Sequence, residues 1–156
     1  MDAQEGRGPV VLLEDAGPAE LLGRARRIAV VGASPSPERP SYGVMRYLLG
    51  QGYDCVPINP NTDKVLGRRA FPNLEGAVAD GGRFDIVDVF RRSEAVSEIA
   101  RSAVATGSGA LWMQLGVVNW EAARIADDAG LPVVMDRCTA IEHRRLRASG
   151  QPPTLG

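Results

Sequence analysis

The sequence predicts an α/β fold: a single Rossmann-like domain whose mostly parallel five-stranded sheet carries helices on both faces. Three observations lead there. Short apolar runs rich in Val and Ile recur at 27–32, 54–58, 85–90, 109–113 and 132–135. The segments between them carry helical periodicity. The first run ends in Val31-Gly32-Ala33-Ser34, a strand entering a glycine turn ahead of a helix-forming stretch. Runs that are apolar throughout mark strands buried on both faces. Strands alternating with helices give a parallel sheet covered on both sides.

The elements follow in order. A helix is expected over 18–26, ahead of the first strand. Over 42–51, Val44, Tyr47 and Leu48 recur at i, i+3 and i+4 as a buried stripe, and Gly52 stops the helix. Ser93 is the predicted N-cap of 94–106, with Ala95, Ile99 and Ala103 as its buried stripe and Gly107 as its stop. Asn119 caps 120–129, which Gly130 closes. Thr139-Ala140-Ile141-Glu142 has capping-box spacing and opens a basic helix through Arg147. Residues 1–17 are expected as a flexible N-terminal arm and 149–156 as a flexible tail, which leaves 18–148 as the domain.

A chain of 156 residues suits one domain. Its net charge of −1 supplies no field to draw in nucleic acid or an anionic membrane, so neither is expected as a partner. No apolar run approaches the ~20 residues that span a bilayer. The first residues lack the layout of a signal peptide, and a cytoplasmic location is expected. Cys55 and Cys138 are the only cysteines, too few and too far apart for a metal pattern. Cys55 reads as core, and Trp112 and Trp120 as packing residues.

In such a sheet the ligand lies beyond the carboxyl ends of the strands. Those ends hold Gly32-Ala33-Ser34, Asn59-Pro60, Phe90-Arg91-Arg92, Gln114-Leu115-Gly116 and Asp136-Arg137-Cys138. Gly32 permits a tight turn and close approach of backbone to ligand. The loop then runs to Ser41-Tyr42-Gly43 at a helix start, where free N–H groups favour an anion. Ser34, Ser36 and Ser41 add hydroxyls. The spacing of a dinucleotide fingerprint is absent, since the next glycine after Gly32 is Gly43. After the second strand an NAD site carries an acid for the ribose hydroxyls. This chain has Asn59 between two prolines, followed by Lys64, Arg68 and Arg69. Those cations suit a phosphorylated ribose, which leaves NADP and coenzyme A as ligands.

Six stretches together carry a resemblance: Val-Gly-Ala-Ser at 31–34, Ser-Tyr-Gly-Val at 41–44, Gly-Tyr…Pro-Ile-Asn-Pro at 52–60, Asp-Ile-Val-Asp-Val-Phe-Arg at 85–91, Trp-Met-Gln-Leu-Gly at 112–116 and Met-Asp-Arg-Cys at 135–138. Over residues 20–147 the chain resembles the small CoA-binding domain family, which is similar to the amino-terminal domain of the succinyl-CoA synthetase α subunit. The resemblance implies coenzyme A held across the strand ends. Gly32, Ala33, Ser34 and Ser41, with Tyr42 beside them, would meet the phosphates. Asn59, Pro60 and Lys64 would flank the adenosine. Phe90, Arg91 and Arg92 would line the adenine and pyrophosphate side, and Gln114 and Gly116 the pantetheine side. Cys138 would approach the thiol end of the ligand.

No catalytic constellation stands out. His143, the one histidine, falls among Glu142, Arg144 and Arg145 and is expected at the surface. Asp85 and Asp88 bracket a strand and read as structural. Cys138 stands at a strand end beside Arg137 and before a helix start, a setting that suits a reactive thiol and raises a mixed disulfide with coenzyme A. The expected function is a CoA or acyl-CoA binding, carrier or sensor module. The alternatives are an NADP-dependent oxidoreductase or a partner subunit of an acyl-CoA ligase acting in trans. A homodimer is also compatible with the sequence.

Overall fold

The structure, a computed structural model, describes residues 9–149. Five parallel strands form the sheet: β1 (Arg27–Val31), β2 (Asp54–Ile58), β5 (Ile86–Val89), β6 (Leu111–Met113) and β7 (Val133–Val134), in the order β2-β1-β5-β6-β7. The order reverses direction at β1, between its pairings with β2 and β5. There Val31 is in register with Ile58 on one side and Val89 on the other. A cleft opens at such a switch point because the following connections leave to opposite faces.

Odd and even strand positions serve two cores. Ala29, Val31, Val87, Val89 and Met113 pack on one face, under α3 (Leu74–Gly81), α4 (Val96–Ala105) and α5 (Trp120–Asp128). Ile28, Val30, Ile86, Trp112 and Val134 pack on the other, with α1 (Gly17–Arg24) and α2 (Pro40–Gly50). The last helix, α6 (Thr139–Ala148), packs on α1 and α2. No described helix is long and apolar enough to cross a membrane.

Several local expectations change. The buried side of α2 is Ser41, Met45 and Leu48, while Val44 and Tyr47 are half-buried. That of α4 is Val96, Ala100 and Ala103, with Ile99 packed at its margin. Leu48 and Ala103 are fully buried as expected, while Met45 takes the place of Val44, and Val96 and Ala100 take those of Ala95 and Ile99. Ser93 does not cap α4: it begins a 3₁₀ turn over Ser93–Ala95, and its Oγ accepts from the Val118 N–H at 3.0 Å. The capping box does not form either. Cys138 is the N-cap of α6, and Thr139 turns its hydroxyl into the core. Helix α3 and the hairpin β3 (Lys64–Val65) with β4 (Arg68–Arg69) are absent from the sequence reading. Trp112 is buried as expected, whereas Trp120 is 56% exposed.

The expected loose arm is docked over its later part. Val10, Leu12 and Leu13 pack on the two cores, and the Leu13 N–H donates to the Val133 carbonyl at 2.8 Å, covering the open edge of β7. Four successive apolar residues, Val10 to Leu13, supply the reason. Residues 1–8 of that arm and 150–156 of the tail lie outside the described residues.

Asn119 caps α5 as expected, accepting from the Ala122 N–H at 2.9 Å. Its Nδ2 also donates to the Ser93 carbonyl at 2.7 Å, tying α5 to the loop after β5. Asn119→Ala is expected to lower stability by about 1–2 kcal/mol, read from urea midpoints. An unchanged midpoint would remove the cap from the account.

Candidate functional site

A cleft of about 630 Å³ opens at the carboxyl ends of β1, β2, β5 and β6. Gly32, Ser34, Ser41, Asn59, Pro60, Phe90, Arg91, Arg92 and Gln114 from the sequence reading all line it. Arg39, Pro40, Asn61, Leu115 and Val117 join them, and these the sequence reading did not single out. Arg39 had a readable signal: Pro40 sits at the first position of α2, which places the preceding residue at the helix mouth.

Gly32 is where the backbone must be glycine. Its φ is +89°, and a Cβ there would press into the Phe90 carbonyl and come 2.9 Å from Arg91 Cδ. The loops after β1 and β5 therefore touch only because Gly32 has no side chain. Beyond it, the Ser34 N–H donates to Ser41 Oγ at 3.1 Å, and the Ser36 N–H to Ser34 Oγ at 3.1 Å. These bonds fold the loop back onto the first turn of α2. Pro40 and Ser41 thus bring the positive end of the helix to the cleft wall.

Asn59 lines the cleft but spends its polar atoms on the protein. Nδ2 donates to the Ala33 carbonyl at 2.8 Å, and Oδ1 accepts from the Asn61 N–H at 2.7 Å. It joins the loops after β1 and β2 and leaves no acid where an NAD site has one.

The expected basic loop does not supply the cleft's charge. Lys64 is exposed on the β3–β4 hairpin, outside the lining. Arg68 is paired with Asp54, which also takes Arg27 at 2.9 Å. Arg69 stands 3.7 Å from Asp80 and stacks over Phe71. Asp54 opens β2, so Arg68 is drawn to the end of the sheet opposite the cleft. The cleft's cations are instead Arg39, Arg91 and Arg92, and no carboxylate is among its lining residues. Arg92 has an exposed partner, Glu94, at 3.8 Å. Among the described residues, neither Arg39 nor Arg91 is ion-paired.

Four other expected residues stay outside the lining. Ala33 is fully buried and Tyr42 is half-buried. Gly116 donates its N–H to Asp136 Oδ1 at 2.7 Å, which shapes the loop after β6. Cys138 is buried at the start of α6. The Arg137 guanidinium pairs with Glu142, at 3.5 Å, and its carbonyl accepts from Trp112 Nε1 at 2.7 Å. Below the cleft, Gln114 Oε1 accepts from the Thr139 N–H and hydroxyl at 3.0 and 2.9 Å. A side pocket of about 170 Å³ shares Pro60 and Arg91 with the cleft and includes Ile58, Leu74 and Ile99 in its wall.

His143 is fully buried, against the expectation of a surface residue. Its Nδ1 lies 2.8 Å from the Tyr47 hydroxyl, and its ring meets those of Tyr47 and Tyr53 edge-on at 5.5 and 5.6 Å. The charged neighbours in sequence hid an apolar inner face of α6. Burial pushes its pKa down, helped by Arg147 and Arg144. The unfolded chain therefore takes up this proton first as pH falls, so the stability that His143 itself contributes drops on acidification below about pH 6.5, by up to about 1.4 kcal/mol per pH unit. His143→Gln is expected to be less stable than the unaltered protein at pH 7, by a margin that narrows as pH falls through that window. Equal slopes in urea titrations at several pH values would refute this.

Comparison with known proteins agrees with the geometry. The chain is 40% identical to the protein YneT of Bacillus subtilis strain 168 over 124 residues, which is 80% of this chain and 90% of that one. It is 38% identical to a solved hypothetical protein from Pyrococcus horikoshii, with a TM-score of 0.82 over 94% of this chain and 99% of that one. Its fold recurs, at 23% identity and a TM-score of 0.61, in the dinucleotide forming acetyl-coenzyme A synthetase 1 of Ca. Korarchaeum cryptofilum, covering 73% of this chain and 26% of that one. The model of the CoA binding domain matches residues 26–144, and this chain belongs to that family.

Proposed function

We propose that this chain binds coenzyme A, free or acylated, in the strand-end cleft and acts as a binding, carrier or sensor module. One observation carries the reading: the cleft holds three arginines and no carboxylate, next to a helix N-terminus and a glycine turn. That is a site for a ligand with several phosphates. Arg39 and the start of α2 would take the pyrophosphate. Arg91 and Arg92 would serve a phosphate on the adenosine side, and the apolar wall of the side pocket suits a base. Family membership makes coenzyme A the first ligand to try.

Calorimetric titration with coenzyme A, dephospho-CoA, NADP and NAD in parallel tests this. Coenzyme A is expected to bind tightest, with a clear loss for dephospho-CoA. A preference for NADP, or no binding of any of the four, would overturn it.

A second reading has its own support, since the same fold forms about a quarter of the acetyl-coenzyme A synthetase chain. There the chain would be the CoA-binding partner of a separate acyl-CoA ligase subunit. Acyl-CoA formation that needs both chains would favour it.

A further inference from the structure

Asp88 is fully buried in the middle of β5, in register between Val30 of β1 and Trp112 of β6. Nothing proposed above uses it. Its Oδ2 lies 3.0 Å from Thr139 Oγ1, and that hydroxyl lies 2.9 Å from Gln114 Oε1. Gln114 Oε1 also accepts from the Thr139 N–H at 3.0 Å. The chain of contacts therefore runs from a carboxyl inside the sheet to a side chain that lines the cleft.

Counting protons decides the state of this chain. The Thr139 N–H can only donate, so the Gln114 atom facing it is the oxygen, and the amide NH2 is turned the other way. Among the described residues that NH2 has no hydrogen-bond partner. The Thr139 hydroxyl has one proton and two oxygens within 3.0 Å. With Asp88 ionised, both would be acceptors, and one pair of oxygens would be left with lone pairs opposed. With Asp88 neutral, Oδ2–H donates to Thr139 Oγ1, and Oγ1–H donates to Gln114 Oε1. Every contact is then a hydrogen bond.

The surroundings agree. From β1 and β6, Asp88 faces Val30 and Trp112; from α6, Thr139. Among the described residues, the titratable group it interacts with is Cys55 of β2, whose own ionisation burial suppresses. No cation is hydrogen-bonded to or ion-paired with it among the described residues. Burial pushes the Asp88 carboxyl well above the usual carboxylate range. Its Oδ1 has no partner among the described residues, which costs a neutral carbonyl far less than a carboxylate.

The geometry points to Asp88 as a neutral carboxylic acid that, through Thr139, holds the Gln114 amide with its NH2 toward the cleft, as a donor to a carbonyl oxygen of the ligand. This rests on the cleft being the CoA site and deepens that reading. The phosphates go to arginines, and the pantetheine amides or an acyl thioester present the neutral carbonyl. Asp88 is a positioning residue, since it acts through Thr139 and Gln114.

The first test needs no ligand, so it stands apart from the CoA reading. In protein carrying carbon-13 aspartate, the Asp88 carboxyl is expected to hold the shift of a protonated acid through pH 7. A carboxylate shift at pH 6 would overturn the proposal. The second uses variants. Asp88→Asn keeps a donor toward Thr139, so its affinity for CoA at pH 7 is expected within about twofold of the unaltered protein. At alkaline pH the unaltered protein should weaken relative to Asp88→Asn, as the carboxyl ionises. Thr139→Val keeps the N–H but breaks the relay, with an expected loss of about five- to tenfold. Asp88→Asn binding as poorly as Thr139→Val, or parallel pH profiles, would overturn the relay.

Discussion

Gly32→Ala is expected to abolish measurable CoA binding and to lower stability by at least about 2 kcal/mol. Two costs combine. The backbone there has φ +89°, a region that L-residues enter at a penalty, and the added carbon has no room against the Phe90 carbonyl. The loop after β5 must retreat, taking Arg91 with it. A control separates strain from site damage. Gly67 also has positive φ (+78°), but a Cβ there meets nothing within 4 Å, and it lies on the hairpin outside the cleft. Gly67→Ala should cost about 1 kcal/mol and leave CoA affinity unchanged. Urea melts and calorimetry on both variants check this. If Gly32→Ala bound CoA like the unaltered protein, the close approach of the two loops would have no part in the site.

Arg91→Met is expected to weaken CoA about 10- to 100-fold with little change in stability. Met keeps an apolar stem packed near Gly32 but removes a guanidinium that no carboxylate among the described residues holds. A lost hydrogen bond to a charged partner, about 1.5–3 kcal/mol, gives that range. The loss should shrink as salt is raised, because the cleft is open to water. Lys64→Ala and Arg68→Ala should change affinity less than about twofold. Lys64 lies outside the lining, and Arg68 already pairs with Asp54. Calorimetry at two salt concentrations reads all three. A large loss for Lys64→Ala beside a small one for Arg91→Met would return the phosphate to the hairpin.

The contrast between these arginines shows what was legible in the sequence. All five strands read directly, because strands buried on both faces need mostly apolar runs, and Asp88 is the one charged residue inside them rather than at an end. The carboxyl ends of those strands, with the start of α2, then named nine residues that line the cleft. The destination of each charge was not legible. Arg68 and Arg69 follow β2 in sequence, yet Asp54 and Asp80 draw them aside. Those acids lie 14 and 11 residues away, and a tight hairpin with no strong periodic signal brings them near. The eight residues of α3 bury only Leu74 and Ala77, too little to show a stripe. His143 failed for the opposite reason. Its helix is so rich in arginine that the apolar pocket made by Tyr47 and Tyr53, about 90 residues earlier, left no local trace. Thr139 had the spacing of a cap, but a buried carboxyl across the sheet claimed its hydroxyl.

The most direct test of the account is a backbone amide spectrum of the nitrogen-15 labelled protein, recorded as coenzyme A is added. The expected result is a set of shifts confined to Gly32–Ser41, Asn59–Asn61, Phe90–Arg92 and Gln114–Val117, with Lys64 to Arg69 unmoved. Shifts centred on the β3–β4 hairpin, or none at saturating coenzyme A, would contradict it.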